Sequence, residues 1–238
     1  AAAFYEVGFD CIDVHMTDLI STRQSLNDFE GLVACGGFSY GDVLGAGGGW
    51  ASNILFNKDL RNQFGEFFQN ENAFSLGVCN GCQVLSLLQP LIPGSENWPN
   101  FRRNTSEKFE SRLVQVTVEE SPSIFFKGMA GAVIPVPVAH GEGRVEASAN
   151  NLEFLSKNKY TSISYAGYDG MHTEDYPANP NGSAQGIAGL TNKYGTVTIM
   201  MPHPERSFLN SQYSWSPDEW SHYSPWIKFF LNAREFIG

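Results

Sequence analysis

The chain has 238 residues, 42% hydrophobic and 17% charged, which is enough apolar material for a sizeable globular core. Its net charge is −10 and no basic run offsets it, so nucleic acid and anionic membrane surfaces are excluded as expected partners. No apolar stretch approaches the roughly 18 residues of a membrane span, and Ala1 to Asp10 has neither the basic n-region nor the long apolar h-region of a secretory signal.

Ala1 to Phe9 reads as the end of a helix, with Gly8 near its C-cap. No methionine opens it, so the chain is expected to be a fragment of a longer polypeptide that lacks a preceding strand. Cys11 to Met16 alternates apolar and polar residues and predicts a strand. Gly31 to Cys35 predicts a buried strand running into Gly36-Gly37. Cys11 and Cys35 are accordingly expected to be buried as small hydrophobes. Four cysteines in a chain of this length do not make a disulfide scaffold, and a reducing, cytoplasmic compartment is expected.

Asp59 to Gln69 has helical spacing, with Leu60, Phe64, Phe67 and Phe68 on one side. Phe74 to Val78 is a short buried strand, and Asn80 to Leu88 a helix stopped by Pro90. This alternation of strand and helix predicts an α/β fold: a mostly parallel central sheet with flanking helices. The middle of the chain adds a smaller antiparallel portion. Leu113 to Val118, Ala132 to Val138 and Thr161 to Ala166 are strands, and Phe101 to Arg112 is a solvated or interface segment. Ile187 to Leu190 and Thr196 to Met201 flank a hairpin signal at Asn192-Lys193-Tyr194-Gly195. Tyr176 to Ser183 is a turn-rich loop, and the last helix spans about Pro225 to Phe236. No repeat or linker appears, so 1–238 is read as a single domain.

Gly77-Val78-Cys79-Asn80-Gly81-Cys82-Gln83 carries the most chemistry. A strand enters it and a helix leaves it, and a nucleophile on such a sharp turn is lifted out of the sheet. The helix N-terminus favours thiolate, and the Asn80 N–H can donate to an oxyanion. Two other readings stand beside this one. Cys79 and Cys82 form a Cys-x-x-Cys pair suited to redox chemistry or zinc, although zinc needs two more ligands and no second pair exists. Cys79 can also be structural, as Cys82 is expected to be.

Pro202-His203-Pro204-Glu205 closes the last strand. With extended backbone at the prolines, residues i and i+2 point the same way, so Glu205 can reach one ring nitrogen of His203 while the other faces a nucleophile. Gly36-Gly37-Phe38-Ser39-Tyr40-Gly41-Asp42 follows a buried strand and can supply a second oxyanion donor. Gly45 to Trp50 lacks the Lys-Ser/Thr of a P-loop and is read as a tight turn opening a helix. His140 to Arg144 is either a surface hairpin or part of a pocket for an amino acid, with Arg144 pairing to a carboxylate. His15, His172 and His222 have no partner constellation, and no metal site is expected.

The elbow and the His-Pro-Glu end resemble the triad (class I) glutamine amidotransferases. With Gly36 to Asp42, His140 to Arg144, Tyr176 to Ser183 and Met201 to Arg206, the chain is similar over its whole length to the C-terminal amidotransferase region of large phosphoribosylformylglycinamidine synthases. The resemblance implies a flavodoxin-like fold, with Cys79 as nucleophile, His203 as base and Glu205 as its orienter. It implies Gly37, Phe38 and Asn80 at the oxyanion hole, with Gln83 and His140 near the substrate. Glutamine and a synthetase domain of the parent chain are the implied partners. ATP and magnesium belong to that other domain, and no cofactor is implied in this one. Two features depart from the family pattern: the absent first strand, and Gly48 where an acidic residue is expected. A non-catalytic interaction module and another α/β cysteine hydrolase remain as alternative readings.

Overall fold

The computed structural model describes residues 1–37, 45 and 47–238. Nine strands are found among them: β1 (Gly31–Ala34), β2 (Phe74–Val78), β3 (Asn100–Arg103), β4 (Glu110–Val118), β5 (Val133–His140), β6 (Glu142–Glu146), β7 (Thr161–Ala166), β8 (Ile187–Thr191) and β9 (Val197–Met200). The helices are α1 (Ala2–Glu6), α2 (Met16–Ile20), α3 (Gly48–Phe56), α4 (Lys58–Gln69), α5 (Asn80–Leu87), α6 (Ala149–Lys157) and α7 (Ile227–Ile237). None of them is long and apolar enough to cross a membrane.

Seven strands form one sheet in the order β1-β2-β9-β8-β7-β4-β5, and β3 pairs with β6 in a separate two-stranded ribbon. Strands β1, β2 and β9 are parallel, and the remaining neighbours in the large sheet are antiparallel. The α/β class with an added antiparallel part therefore stands. Strand β2 is buried at every position, as a strand covered by helices on both faces must be. On one face α5 packs against β1, β2 and β9 with α3 beside it. On the other, Phe74 of β2 stacks with Phe4 of α1 and meets Phe125 edge-on, and Phe125 stacks on Phe229 of α7. Helix α4 buries Leu60, Phe64, Phe67 and Phe68, and its Asn57 cap accepts from the N–H of Asp59 and of Leu60, an arrangement that contributes about 1 kcal/mol.

The large sheet curls so that its far edge meets its parallel end. His203 N–H donates to Pro137 O at 2.8 Å, and Tyr213 Oη and Trp226 Nε1 both donate to Pro135 O at 2.8 Å. Pro135 and Pro137 lack an N–H, which suits β5 to its edge position, while their carbonyls remain available to the chain that folds back on them.

One predicted strand does not form. Cys11 to His15 carries no regular secondary structure, and α2 begins at Met16. Alternation sets which way side chains point, but a strand also needs a hydrogen-bonded neighbour, and none pairs with this segment among the described residues. For the same reason Cys11 and Cys35 are exposed rather than buried. β1, which Cys35 follows, is an edge strand, and Cys11 Sγ reaches the carbonyls of Ala1 at 3.6 Å and Phe9 at 3.9 Å. The segment read as solvated or interface, Phe101 to Arg112, is largely exposed as expected, but half of it is strand: it supplies most of β3 and the start of β4, and Asn104 and Glu110 within it are buried.

Candidate active site

Strands β1, β2 and β9 lie side by side and parallel, so their carboxyl ends open on one edge of the sheet, where α/β folds place their sites. Gly36 follows β1, Cys79 follows β2, and His203 lies three residues past β9.

Cys79 has φ 54° and ψ −107°, a conformation that side-chain-bearing residues rarely adopt and that costs on the order of 1–3 kcal/mol. It is held there from both sides. Its N–H donates to Met200 O at 2.8 Å, and its carbonyl accepts the N–H of Gln83 at 3.1 Å as α5 begins. Glycine makes the turn possible. A Cβ on Gly81 would fall 1.8 Å from Ala34 O, and one on Gly77 would fall 2.7 Å from Gly81 O. The thiol is buried and sits 3.6 Å from Ala139 O at the end of β5. As N-cap of α5 it stands at the positive end of the helix.

His203 is buried, and its Nδ1 lies 2.7 Å from Glu205 Oε1. Glu205 reaches it by a different route from the predicted extended backbone: Pro204–Arg206 is a single 3₁₀ turn with Pro204 at its first position. Burial alone would push the His203 imidazole down. Hydrogen bonding to Cys79 and Glu205, together with their charges, outweighs burial and carries it up from 6.5 to about 9. Nε2 of the same ring is buried and makes no hydrogen bond of ordinary geometry among the described residues. Gly36 closes over the pair: a Cβ there would lie 2.9 Å from His203 Cε1 and 3.3 Å from Cys79 Cβ. Cys79, His203 and Glu205 are thus brought together from two separate parts of the chain.

Of the other expected site residues, Gly37 follows Gly36 with φ 128° in the region that favours glycine. Phe38 and the rest of that motif, Ser39 to Asp42, lie outside the described residues. Asn80 opens α5, and its side chain donates to Gln83 Oε1 at 3.3 Å. Gln83 Nε2 in turn donates to the carbonyl of Glu142, and the Glu142 carboxylate accepts the N–H of Gly45 at 3.1 Å. Gln83 therefore braces the elbow helix against β6. His140 is buried, and burial first, then the His203 charge, lowers it to about 3, so it stands neutral beside a cationic ring. Arg144 does not project freely toward a ligand: its Nε donates to Arg103 O at 3.1 Å and its Nη2 meets Glu146 at 3.3 Å. Cys82 is fully buried in helix packing, and burial with the Cys79 charge pushes its thiol up, away from the reactive form. The turn before α3 opens a helix, as expected of Gly45 to Trp50, with Gly47 as a left-handed N-cap.

Two buried residues near the site were not singled out individually in the sequence. Asn104 donates to His140 O at 2.8 Å and accepts from Gly143 N–H, and Asn181 contacts the His140 ring. Asn104 sits in the segment read as solvated or interface and Asn181 in the turn-rich loop, where asparagine is commonplace.

The fold resembles several solved structures. PurLQS from Thermotoga maritima superposes with a TM-score of 0.65 at 24% identity, over 90% of this chain and 83% of that one. A Trypanosoma brucei CTPS glutaminase domain with bound acivicin gives 0.56 at 15% identity, over 99% and 85%. A putative GMP synthase subunit from Thermoplasma acidophilum gives 0.53 at 16%, over 99% and 85%. The family model of the CobB/CobQ-like glutamine amidotransferase domain matches residues 1–237, and the chain, with its cysteine elbow and His-x-Glu turn on one sheet edge, belongs to that family.

Proposed function

We propose that this domain hydrolyses glutamine through a Cys79–His203–Glu205 triad and supplies the ammonia to a phosphoribosylformylglycinamidine synthase. There a separate ATP- and magnesium-dependent domain would convert formylglycinamide ribonucleotide to the amidine. The observation that carries the reading is the convergence of a strained Cys79 at a helix N-terminus with a buried His203 whose Nδ1 is held by Glu205. The sequence motifs shared with that synthase family support the choice of pathway.

In this mechanism Cys79 and His203 react as a thiolate–imidazolium pair, the sulfur proton already resting on the ring, and the sulfur attacks the side-chain carbonyl carbon of glutamine. The imidazolium and the helix N-terminus both favour negative charge on the sulfur. Backbone N–H groups at Asn80 and in the Gly37 loop hold the tetrahedral oxyanion. His203 returns its proton to the leaving nitrogen, which departs as ammonia, and the thioester remains. His203 then takes a proton from water, hydroxide adds to the thioester, and glutamate leaves as the thiol is restored. Gln83 and His140 line the substrate side.

A glutamine-analogue electrophile with mass-spectrometric mapping tests this. Stoichiometric labelling at Cys79 is expected. In the whole synthetase, Cys79→Ala should abolish glutamine-dependent turnover and leave ammonia-dependent turnover. Glutaminase activity surviving Cys79→Ala would end the proposal. A peptide substrate turned over in preference to glutamine would move the domain to the cysteine peptidases, and no labelling at all would make it an interaction module.

A further inference from the structure

The orientation of the Asn181 amide decides which nitrogen of His140 carries a proton. Asn181 is fully buried. Its Oδ1 faces the N–H of Ser183 at 3.0 Å and Ser183 Oγ at 2.8 Å. The Ser183 hydroxyl accepts from Val145 N–H at 2.9 Å, and of the two acceptors its own hydrogen can reach, Asn181 Oδ1 at 2.8 Å and Gly143 O at 3.4 Å, Asn181 is the nearer. On the other side, Nδ2 faces the carbonyl of Gly143 at 2.8 Å, a group that can only accept. A flipped amide would set donor against donor at Ser183 and acceptor against acceptor at Gly143, so one orientation satisfies the site.

Nδ2 also lies 3.1 Å from His140 Nε2 and 3.1 Å from Tyr165 Oη. An amide nitrogen has no lone pair to offer, so His140 Nε2 cannot carry a hydrogen against it. The proton of the neutral ring is therefore on Nδ1. That atom is buried and has no partner among the described residues. The ring cannot easily turn away, because it lies on Gly143, where a Cβ would fall 2.4 Å from His140 Cδ2. An unpaired buried donor costs about 1–3 kcal/mol, a cost that a ligand acceptor removes.

We propose that Asn181 is a positioning residue that holds His140 as its Nδ1–H tautomer, a neutral donor reserved for an acceptor oxygen of the bound glutamine. The neutral state matters here because His140 stands beside the His203 charge; a second basic imidazole would compete for the Cys79 proton. This rests on the glutaminase reading above for the identity of the ligand, but the tautomer does not.

Two-bond ¹H–¹⁵N correlation spectra of the histidine-labelled protein test the tautomer directly. The chain has five histidines, and the His140 resonances are those lost in His140→Gln. Wild type should show the proton on Nδ1; a proton on Nε2 overturns the proposal whatever any variant does. Asn181→Asp places an acceptor where Nδ2 was and should draw a proton onto Nε2; where the spectrum shows this as the Nε2–H tautomer rather than the imidazolium, Nδ1 has lost its hydrogen. The KM of this variant for glutamine should then rise about tenfold or more, while iodoacetamide still alkylates Cys79 at the wild-type rate. If KM is unchanged with the tautomer switched, or if iodoacetamide alkylation falls along with glutamine turnover, Asn181 is structural and the proposal fails. Absence of glutamine hydrolysis in wild type would defeat the functional reading while leaving the spectrum to decide the tautomer.

Discussion

Gly81→Ala is the sharpest test of the elbow. The added methyl would sit 1.8 Å from Ala34 O and 2.9 Å from Ala34 Cβ. Neither can swing aside in the way a flexible side-chain tip can, since the carbonyl belongs to β1 and the Cβ is rooted in it. Contacts under 3.0 Å are essentially never seen for real Cβ atoms, so α5 must retreat from β1 by about 1 Å or more. The retreat cannot be local. Gly77, one strand away, already leaves only 2.7 Å between a would-be Cβ and Gly81 O, and Gly47 sits similarly close to Val84 on the next turn of α5. Alanine is the better helix former by about 1 kcal/mol, which works against the expected effect. Overpacking of this kind costs typically 1–3 kcal/mol, and an approach of 1.8 Å to a backbone oxygen belongs at the top of that range, so a net loss of about 2 kcal/mol remains, or a fall in Tm of about 4–8 °C for a chain of this size. Activity should fall further than stability, because a misplacement of ~1 Å at a reacting atom can cost about a hundredfold. The assay is thermal unfolding alongside the rate of Cys79 labelling by a glutamine analogue, with both proteins well below their Tm. An alanine variant with wild-type Tm and labelling rate would mean that α5 does not pack on β1 as described, and the elbow geometry would have to be abandoned.

Removing the partner charge in Glu205→Gln should lower His203 from about 9 toward its ordinary value and reduce kcat on the order of a hundredfold or more, with alkylation of Cys79 losing its plateau at lower pH; an unchanged pH profile would refute the role given to Glu205. The two buried histidines also predict the shape of stability against pH. His203 is raised in the folded state, so its contribution of about 3 kcal/mol is fully present below pH 6.5 and is lost as pH rises toward about 9. His140 is lowered to about 3, so the unfolded chain binds a proton that the folded one refuses, and stability falls by roughly 5 kcal/mol as pH drops from 6.5 to about 3. Urea unfolding should therefore peak near pH 6.5, and His140→Phe should flatten the acid limb; an acid limb of the same slope in that variant would remove His140 as its cause.

How much of this could be read in the sequence depends on how far apart the contacts lie. The strand–Cys79–helix unit was legible because each part of it is local: a five-residue, mostly apolar run, a glycine on either side of the thiol, and a helix that begins at once. The His203–Glu205 pair was legible in outcome, since the two are separated by one residue, although a 3₁₀ turn rather than extended backbone joins them. Cys11 to His15 failed because alternation is a property of a segment while a ladder is a property of two, and no described strand pairs with it. The ribbon β3 was missed for the opposite reason: Asn-Phe-Arg-Arg is mostly exposed, so it carries no buried stripe for a pattern to reveal.

The rest of the site depends on the curl of the sheet, which no local pattern encodes. The prolines of β5 do suggest an edge strand, but nothing near them says that the carbonyl of Pro137 will receive the N–H of His203, or that Ala139 O will face the Cys79 thiol. That closure is what carries His140, at the end of the same strand, next to His203 rather than out on a hairpin. Asn181 is then set by a second long-range fit, between the turn-rich loop and β6 through Gly143 and Val145. A buried asparagine with its oxygen and nitrogen each facing obligate partners has a single workable orientation, and a histidine against its nitrogen has a single workable tautomer. The protonation state of the site is thus a consequence of topology: separate the β5 edge from β9, and the same residues in the same order would leave His140 free to titrate in solvent.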